Sequence, residues 1–291
     1  MRVAALRGRL VLMSGAGTVD VAEASAGRFG PDPMDAYRNW DEFRAWAADA
    51  ELGAAADCEP RELTNPVPAP TQVFGVGANY RDHVEEAGAS PTAVPLIFTK
   101  FPSCLAGPFE DVPLPSRKVD WEVELVVVMG RRAERVAAAD AWSHVAGLTA
   151  GQDISERVVQ LTGDHPQFSM GKSFPGFGPV GPSVVSVDEF ADPDNLELGC
   201  AIDGVVMQKG RTENLIFSVP DLIAYLSGIC PLLPGDLIFT GTPAGVGAFR
   251  RPRRFLGPGE TLTTWVEGVG VMRNAITAGP TYVAREEARH A

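Results

Sequence analysis

Two glutamates separated by one valine, Glu122 and Glu124, sit in the apolar run Val119–Val127, VDWEVELVV. In a strand, residues two apart point to the same face, so the two carboxylates would stand side by side. Adjacent carboxylates repel and are costly to bury without a partner. A divalent cation removes that cost, and hard cations such as Mg2+ take oxygen ligands. The competing reading is a solvent-facing strand with two charges. Asp153 follows the small-residue stretch GLTAGQ and precedes the helix-like ISERVVQ. It could cap that helix or act as a third oxygen ligand. Three carboxylates from two segments would suit Mg2+ or Mn2+, with water or substrate in the remaining positions.

His83 and Glu86 lie three apart in YRDHVEEAG, which reads as a short helix ended by Gly88. On one helix face the pair can act as a general base oriented by a carboxylate. An incidental surface pair is the alternative. Lys172 stands in FSMGKSFPGFGPVGP, a segment with few other charges. It is either a surface lysine or a cation that meets a substrate carboxylate or oxyanion. A Walker loop would need glycine where Pro166 stands, and the dinucleotide reading of GVGANY fails because Tyr80 occupies the third glycine position.

These groups need elements to hold them. RLVLM and TVDVA read as short strands around Gly15 and Gly17. WDEFRAWAADAEL is a helix with Trp40, Phe43 and Ala47 at helical spacing and Gly53 as its stop. LTNPVPAPTQ, residues 63–72, holds three prolines and reads as a linker out of a small N-terminal domain. The expected division is 1–66 and 67–291. VFGVG and PLIFTK are expected strands, and the Ala-rich RAERVAAADAWSHVAG is an expected helix. Asp203-Gly204 between two apolar runs signals a two-residue hairpin. SVPDLIAYLSGIC is an amphipathic helix with Ser218 as N-cap and Pro220 in its first turn. PGDLIFTGTPAGVG leads from a strand into a glycine-rich loop, two strands close the chain, and the charged tail from Tyr282 is expected to fray.

The 291 residues are enough for a sizeable core. A net charge of −12 argues against nucleic acid or an anionic membrane as partner, but a local cation would still admit a small anionic substrate. The four cysteines show no CxxC spacing, which suggests reduced thiols in a cytoplasmic protein. Arg7 and Arg9 interrupt the apolar start, unlike a signal peptide, and no apolar run has transmembrane length.

From about Val73 to Ile276 the chain resembles the fumarylacetoacetate hydrolase family. The resemblance is carried, in order, by GANYRDHVEE, PLIFTK, VDWEVEL, GQDISER, FSMGKSFPGFGPVGP, DGVVMQKGRT, IAYLSGICPLLPGDLIFTGTPAGVG and VEGVGVMRNAI. It implies a β-rich α+β fold, a mixed β-sandwich roll with a small N-terminal α/β domain, assembled as a homodimer. It implies that Glu122, Glu124 and Asp153 hold Mg2+ or Mn2+, that His83 and Glu86 form the catalytic dyad on a lid helix, and that Lys172 is the active-site lysine. Arg157, Gln160 and Thr242 match positions lining the site. Tyr80, in the motif that carries His83, joins them as a candidate substrate contact. Departures at Ala78, Gln152 and Glu156 lie beside the chemistry and bear on substrate identity.

The chemistry so implied is hydrolysis of a C–C bond in an acylpyruvate-type β-diketo acid. His83, oriented by Glu86, would take a proton from water, Lys172 would steady oxyanion charge, and the fragment would leave as an enolate of pyruvate. A lyase or isomerase acting on a related 2-keto acid, such as oxaloacetate, is the first alternative, because fold does not fix reaction. A metal-dependent binding protein without turnover is the second, and it would have no use for the base.

Overall fold

A computed structural model describes residues 1–15, 17–50 and 55–282. The fold is β-rich α+β, as expected, and is organised around the strand Val123–Met129. All seven of its residues are buried. It pairs antiparallel with Val145–Gln152 on one side and with Leu237–Phe239 on the other. Alternation then divides the core. Val123, Leu125, Val127 and Met129 enter one cluster together with Leu198, Ile202, Leu262 and Met272 of a five-stranded sheet. Val126 and Val128 enter a second cluster with Trp40, Phe43, Val3 and Leu10. Glu124 shares the even-numbered face with Val126 and Val128 and is buried.

Residues 1–66 extend this central sheet. The strand Arg2–Leu6 pairs with Gly178–Ser186 and with Leu63–Thr64. The compositional break at the prolines is therefore not a break in packing, since one cluster draws residues from both sides of it. Of the expected helix at WDEFRAWAADAEL, Trp40–Asp49 is helical. Its expected stop at Gly53 lies outside the described residues, as does the tail beyond Tyr282.

One expected helix is not formed. Within RAERVAAADAWSHVAG only Ala138–His144 turns, as a 3-10 helix, and Val145–Gln152 is a strand. Alanine propensity is worth only tenths of a kcal/mol per residue. The last three residues, Val145–Gly147, instead open the strand Val145–Gln152, which hydrogen-bonds to neighbours on both edges and is buried on both faces. Asp153 also does not cap the helix that follows: Glu156 accepts from the Val159 N–H at 2.6 Å.

Two local motifs match their sequence signals. Asp203 and Gly204 both have positive φ, 48° and 81°, as a type I′ hairpin requires, and they join Glu197–Ile202 to Val205–Arg211. Ser218 and Asp221 form a capping box at the helix Val219–Ile229, whose Leu222, Ile223 and Leu226 are buried. Ser218→Ala is expected to destabilise the protein by about 1 kcal/mol, read as a lowered urea midpoint with unchanged slope. An unchanged midpoint would show the cap to be redundant. No helix among the described residues is long and apolar enough to cross a membrane.

Candidate active site

Sheet register creates the centre of the site. Val123 pairs with Gln152, so Glu122, one residue before its strand, faces Asp153, one residue after the neighbouring strand. The Asp153 N–H donates to the Glu122 carbonyl at 2.9 Å. The side chains of Glu122, Glu124 and Asp153 converge, with one carboxylate oxygen from each within 4.8 Å of the others, and all three are buried.

Their partners differ. Arg157 reaches one oxygen of Glu122 at 2.7 Å and Lys172 the other at 2.9 Å. Asp153 accepts from Lys100 at 2.8 Å and from Lys172 at 2.5 Å. Among the described residues Glu124 has only the Gly241 N–H, at 2.8 Å. Gly241 has φ 108°, and a Cβ there would lie 2.8 Å from the Asn79 Cβ, so this approach needs glycine. The charges respond accordingly. Burial opposes ionisation of Glu122, but Lys172 and Arg157 outweigh it and hold its carboxyl at about 2. Burial pushes the Glu124 carboxyl well above its ordinary range, and the neighbouring Asp153 and Glu122 push it further. Burial disfavours the charged Lys172, yet Asp153 and Glu122 raise it overall.

The cluster thus holds one carboxyl group more than its cations balance. Asp120, Glu122, Glu124 and Asp153 face Lys100, Arg157 and Lys172. A buried set of three converging carboxylate oxygens with one uncompensated group fits a hard divalent cation.

His83 lies on the helix Arg81–Glu86. Its Nδ1 is buried, has no hydrogen-bond partner, and is 3.6 Å from the Glu86 carboxylate. The Phe249 ring packs against the imidazole, centroids 5.7 Å apart. Glu86 is anchored by the Gly245 N–H at 3.0 Å. Burial opposes its ionisation, but His83 and that N–H together lower its carboxyl.

A cavity of about 430 Å3 opens over these groups. His83, Glu122, Glu124, Arg157, Gln160, Lys172 and Thr242 line it. Asp153 and Glu86, which adjoin the glutamates and His83, are not among its lining residues. Lys172 is fully engaged with Glu122, Asp153 and Ser155, so it serves the carboxylates rather than standing free. Thr242 accepts from the Gln208 amide at 2.8 Å, and Gln160 from Arg157 at 2.9 Å. Tyr80 is not brought to the cavity wall. It is buried beneath the helix start, its hydroxyl has no partner, and burial, then Glu124 and Asp82, push its phenol well up.

Two residues of the site are absent from the reading of the sequence. Asp120 accepts from Arg157 at 2.7 Å and from the Gly247 N–H at 2.7 Å. Lys100, wholly buried, holds Asp153 and the carbonyls of Lys172 and Phe177. The available signals were an aspartate two residues before Glu122 and a lysine closing the apolar strand Leu96–Thr99.

The model of the fumarylacetoacetate (FAA) hydrolase C-terminal family matches residues 72–277. The human protein named oxaloacetate tautomerase FAHD2A, mitochondrial, is 41% identical over 251 residues, covering 84% of this chain and 80% of its own. A Mycobacterium smegmatis structure provisionally assigned as an HpcE protein is 52% identical with a TM-score of 0.91, covering 96% of this chain and 99% of its own. Maleylpyruvate hydrolase from Sphingobium sp. SYK-6, solved with manganese(II) and pyruvate, is 27% identical with a TM-score of 0.77, covering 96% of this chain and all of its own.

Proposed function

The chain belongs to the fumarylacetoacetate hydrolase family of enzymes, and from that premise we propose that it interconverts the enol and keto forms of a small 2-keto acid of the oxaloacetate class. The observation that carries the reading is the meeting, in one cavity, of an uncompensated three-carboxylate cluster with a single histidine whose inner nitrogen lacks a partner. The identity to a protein named oxaloacetate tautomerase supports the choice of substrate.

Glu122, Glu124 and Asp153 would hold Mg2+ or Mn2+. When bound, the cation supplies Lewis-acid polarisation of the substrate's carboxylate and keto oxygens. In place of the proton on Glu124, it would leave the cluster one positive charge in excess, which suits an anionic substrate. Lys100 and Lys172 fix Asp153 in place, and Arg157 and Lys172 hold Glu122. His83 moves a proton at the carbon beside the keto group, taking the charge that Glu86 balances. The two are 3.6 Å apart on one helix, and a small rotation of either side chain brings them into hydrogen-bond reach, as catalytic contacts often tighten only when substrate binds. The helix and Phe249 keep bulk water away from the imidazole.

Hydrolytic cleavage of an acylpyruvate is the second reading. It uses the same dyad to take the proton from water, and a relative named maleylpyruvate hydrolase supports it. Dimeric assembly is also inferred from family membership.

Metal-stripped protein supplied with Mg2+ or Mn2+ tests both. Enol oxaloacetate is expected to lose its enol absorbance faster than in buffer, only with metal, and without pyruvate release. Equal amounts of pyruvate and acetate from acetylpyruvate would move the assignment to the hydrolase. Pyruvate from oxaloacetate would mark a decarboxylase, and inactivity on both substrates with both metals would overturn the proposal.

A further inference from the structure

Four arginines, Arg250, Arg251, Arg253 and Arg254, stand within five residues around Pro252, in a chain of net charge −12. Two of them are tied down. Arg250 donates to the carbonyls of Gly245 at 3.2 Å and Met207 at 2.5 Å. Arg254 pairs with Glu260 and the Phe255 carbonyl. Arg251 and Arg253 are exposed, and Arg253 lines the cavity that holds the carboxylate cluster. Lys118 lines the same cavity from another segment, its ammonium 4.9 Å from the centre of the Phe255 ring.

The other cations of this wall are engaged: Arg157 with Asp120 and Glu122, Lys172 with Glu122 and Asp153. Among the described residues, Lys118 and Arg253 line the cavity without a carboxylate partner. Much of the remaining wall is apolar, including Phe98, Val158, Phe168 and Phe249. In such a pocket a few polar groups set the orientation of the ligand.

We propose that Lys118 and Arg253 read the second carboxylate of a 2-keto dicarboxylate whose 2-keto acid end lies at Glu122, Glu124 and Asp153. The inference rests on the proposed function for where the 2-keto end sits, and it adds the residues that select dianions over monoanions. Arg253 offers a planar fork that can take a carboxylate through two hydrogen bonds, and Lys118 adds a point charge steadied on Phe255. Both are exposed, so each contributes modestly and the pair together gives about a tenfold preference.

The test is calorimetric binding to the Mn2+-loaded full chain, using 2-oxoglutarate and 2-oxopentanoate. These share the 2-keto acid end and differ in the distal carboxylate. Wild type is expected to bind 2-oxoglutarate about tenfold more tightly. The double variant Lys118→Gln, Arg253→Gln is expected to bind the two alike, with the 2-oxopentanoate affinity unchanged. Arg253→Lys in place of Arg253→Gln should restore part of the preference. Equal wild-type affinities, a preference that survives the double variant, equal weakening of both ligands, or no binding of either would each overturn the proposal. Turnover of enol oxaloacetate is scored separately. Binding as expected without turnover would sink the proposed reaction and leave the recognition standing, and turnover without the binding pattern would do the reverse.

Discussion

Glu124→Gln is expected to abolish metal-dependent turnover while leaving the metal-free protein at least as stable as wild type. The two effects separate because, among the described residues, Glu124 alone of the three carboxylates has no ion-pair partner. Its one contact, the Gly241 N–H, can be accepted equally well by the glutamine carbonyl. In the folded protein burial, and then the charges of Asp153 and Glu122, push its carboxyl well above the ordinary range. A group whose folded-state value lies above its unfolded one binds more protons in the folded state. Its contribution to stability is therefore complete below the ordinary value of 4.5 and is lost as pH rises toward the raised value. Glutamine has no such proton, so that part of the pH slope vanishes, and above pH 4.5 the metal-free variant gains relative to wild type. Asp153→Asn should behave oppositely. It would leave Lys100 and Lys172 buried and under-compensated, a defect worth about 3–5 kcal/mol. Groups merely behind a metal ligand change affinity or activity by about 10–100-fold, so loss of a ligand itself should exceed that range. Thermal unfolding of chelator-treated protein at pH 5 and pH 8, repeated with Mg2+, reads all of this. Mg2+ should raise the wild-type midpoint through mass action and leave that of Glu124→Gln unmoved. A Glu124→Gln protein that keeps wild-type turnover would remove Glu124 from the metal site.

What the sequence discloses about this site follows from the range of the interactions involved. Glu122 and Glu124 are legible because strand alternation is local, and Asp153 because it closes a recognisable segment. The register that brings Asp153 opposite Glu122 needs both strands paired, which no local pattern states. Lys100 and Asp120 escape notice for the same reason. Their partners lie 53 and 37 residues away along the chain, so each reads alone as an ordinary charge near a strand end. Tyr80 is misplaced because its motif fixes its neighbours in sequence but not the direction of its ring, which turns under the helix into the core. Of the helix expected over RAERVAAADAWSHVAG, the alanines turn only as the 3-10 helix Ala138–His144, and the last three residues, Val145–Gly147, are taken into a strand paired on both edges, where tertiary context overrides propensity. The proline-rich stretch 63–72 shows composition diverging from packing, since the residues before it complete the sheet and core that the later residues begin.

His83→Ala should lower kcat by about two to four orders of magnitude, the range for loss of a positioned general acid–base, while changing metal affinity little. The imidazole makes no hydrogen bond or ion pair to the three carboxylates, and its neighbours are Glu86 and the Phe249 ring. The metal site and the proton-transfer group are thus built from different elements, the sheet ends and the short helix, and a substitution in one should leave the other intact. Glu86→Gln should cost less than His83→Ala. The Gly245 N–H still finds an acceptor in glutamine, so the loop stays anchored, but the carboxylate charge beside the imidazole is gone. Steady-state kinetics across pH, alongside Mn2+ titration of each variant, distinguishes this arrangement from a merely structural pair. Near wild-type kcat in His83→Ala would transfer the proton to another group. A loss of Mn2+ affinity in step with kcat would mean that His83 acts through the metal site rather than beside it.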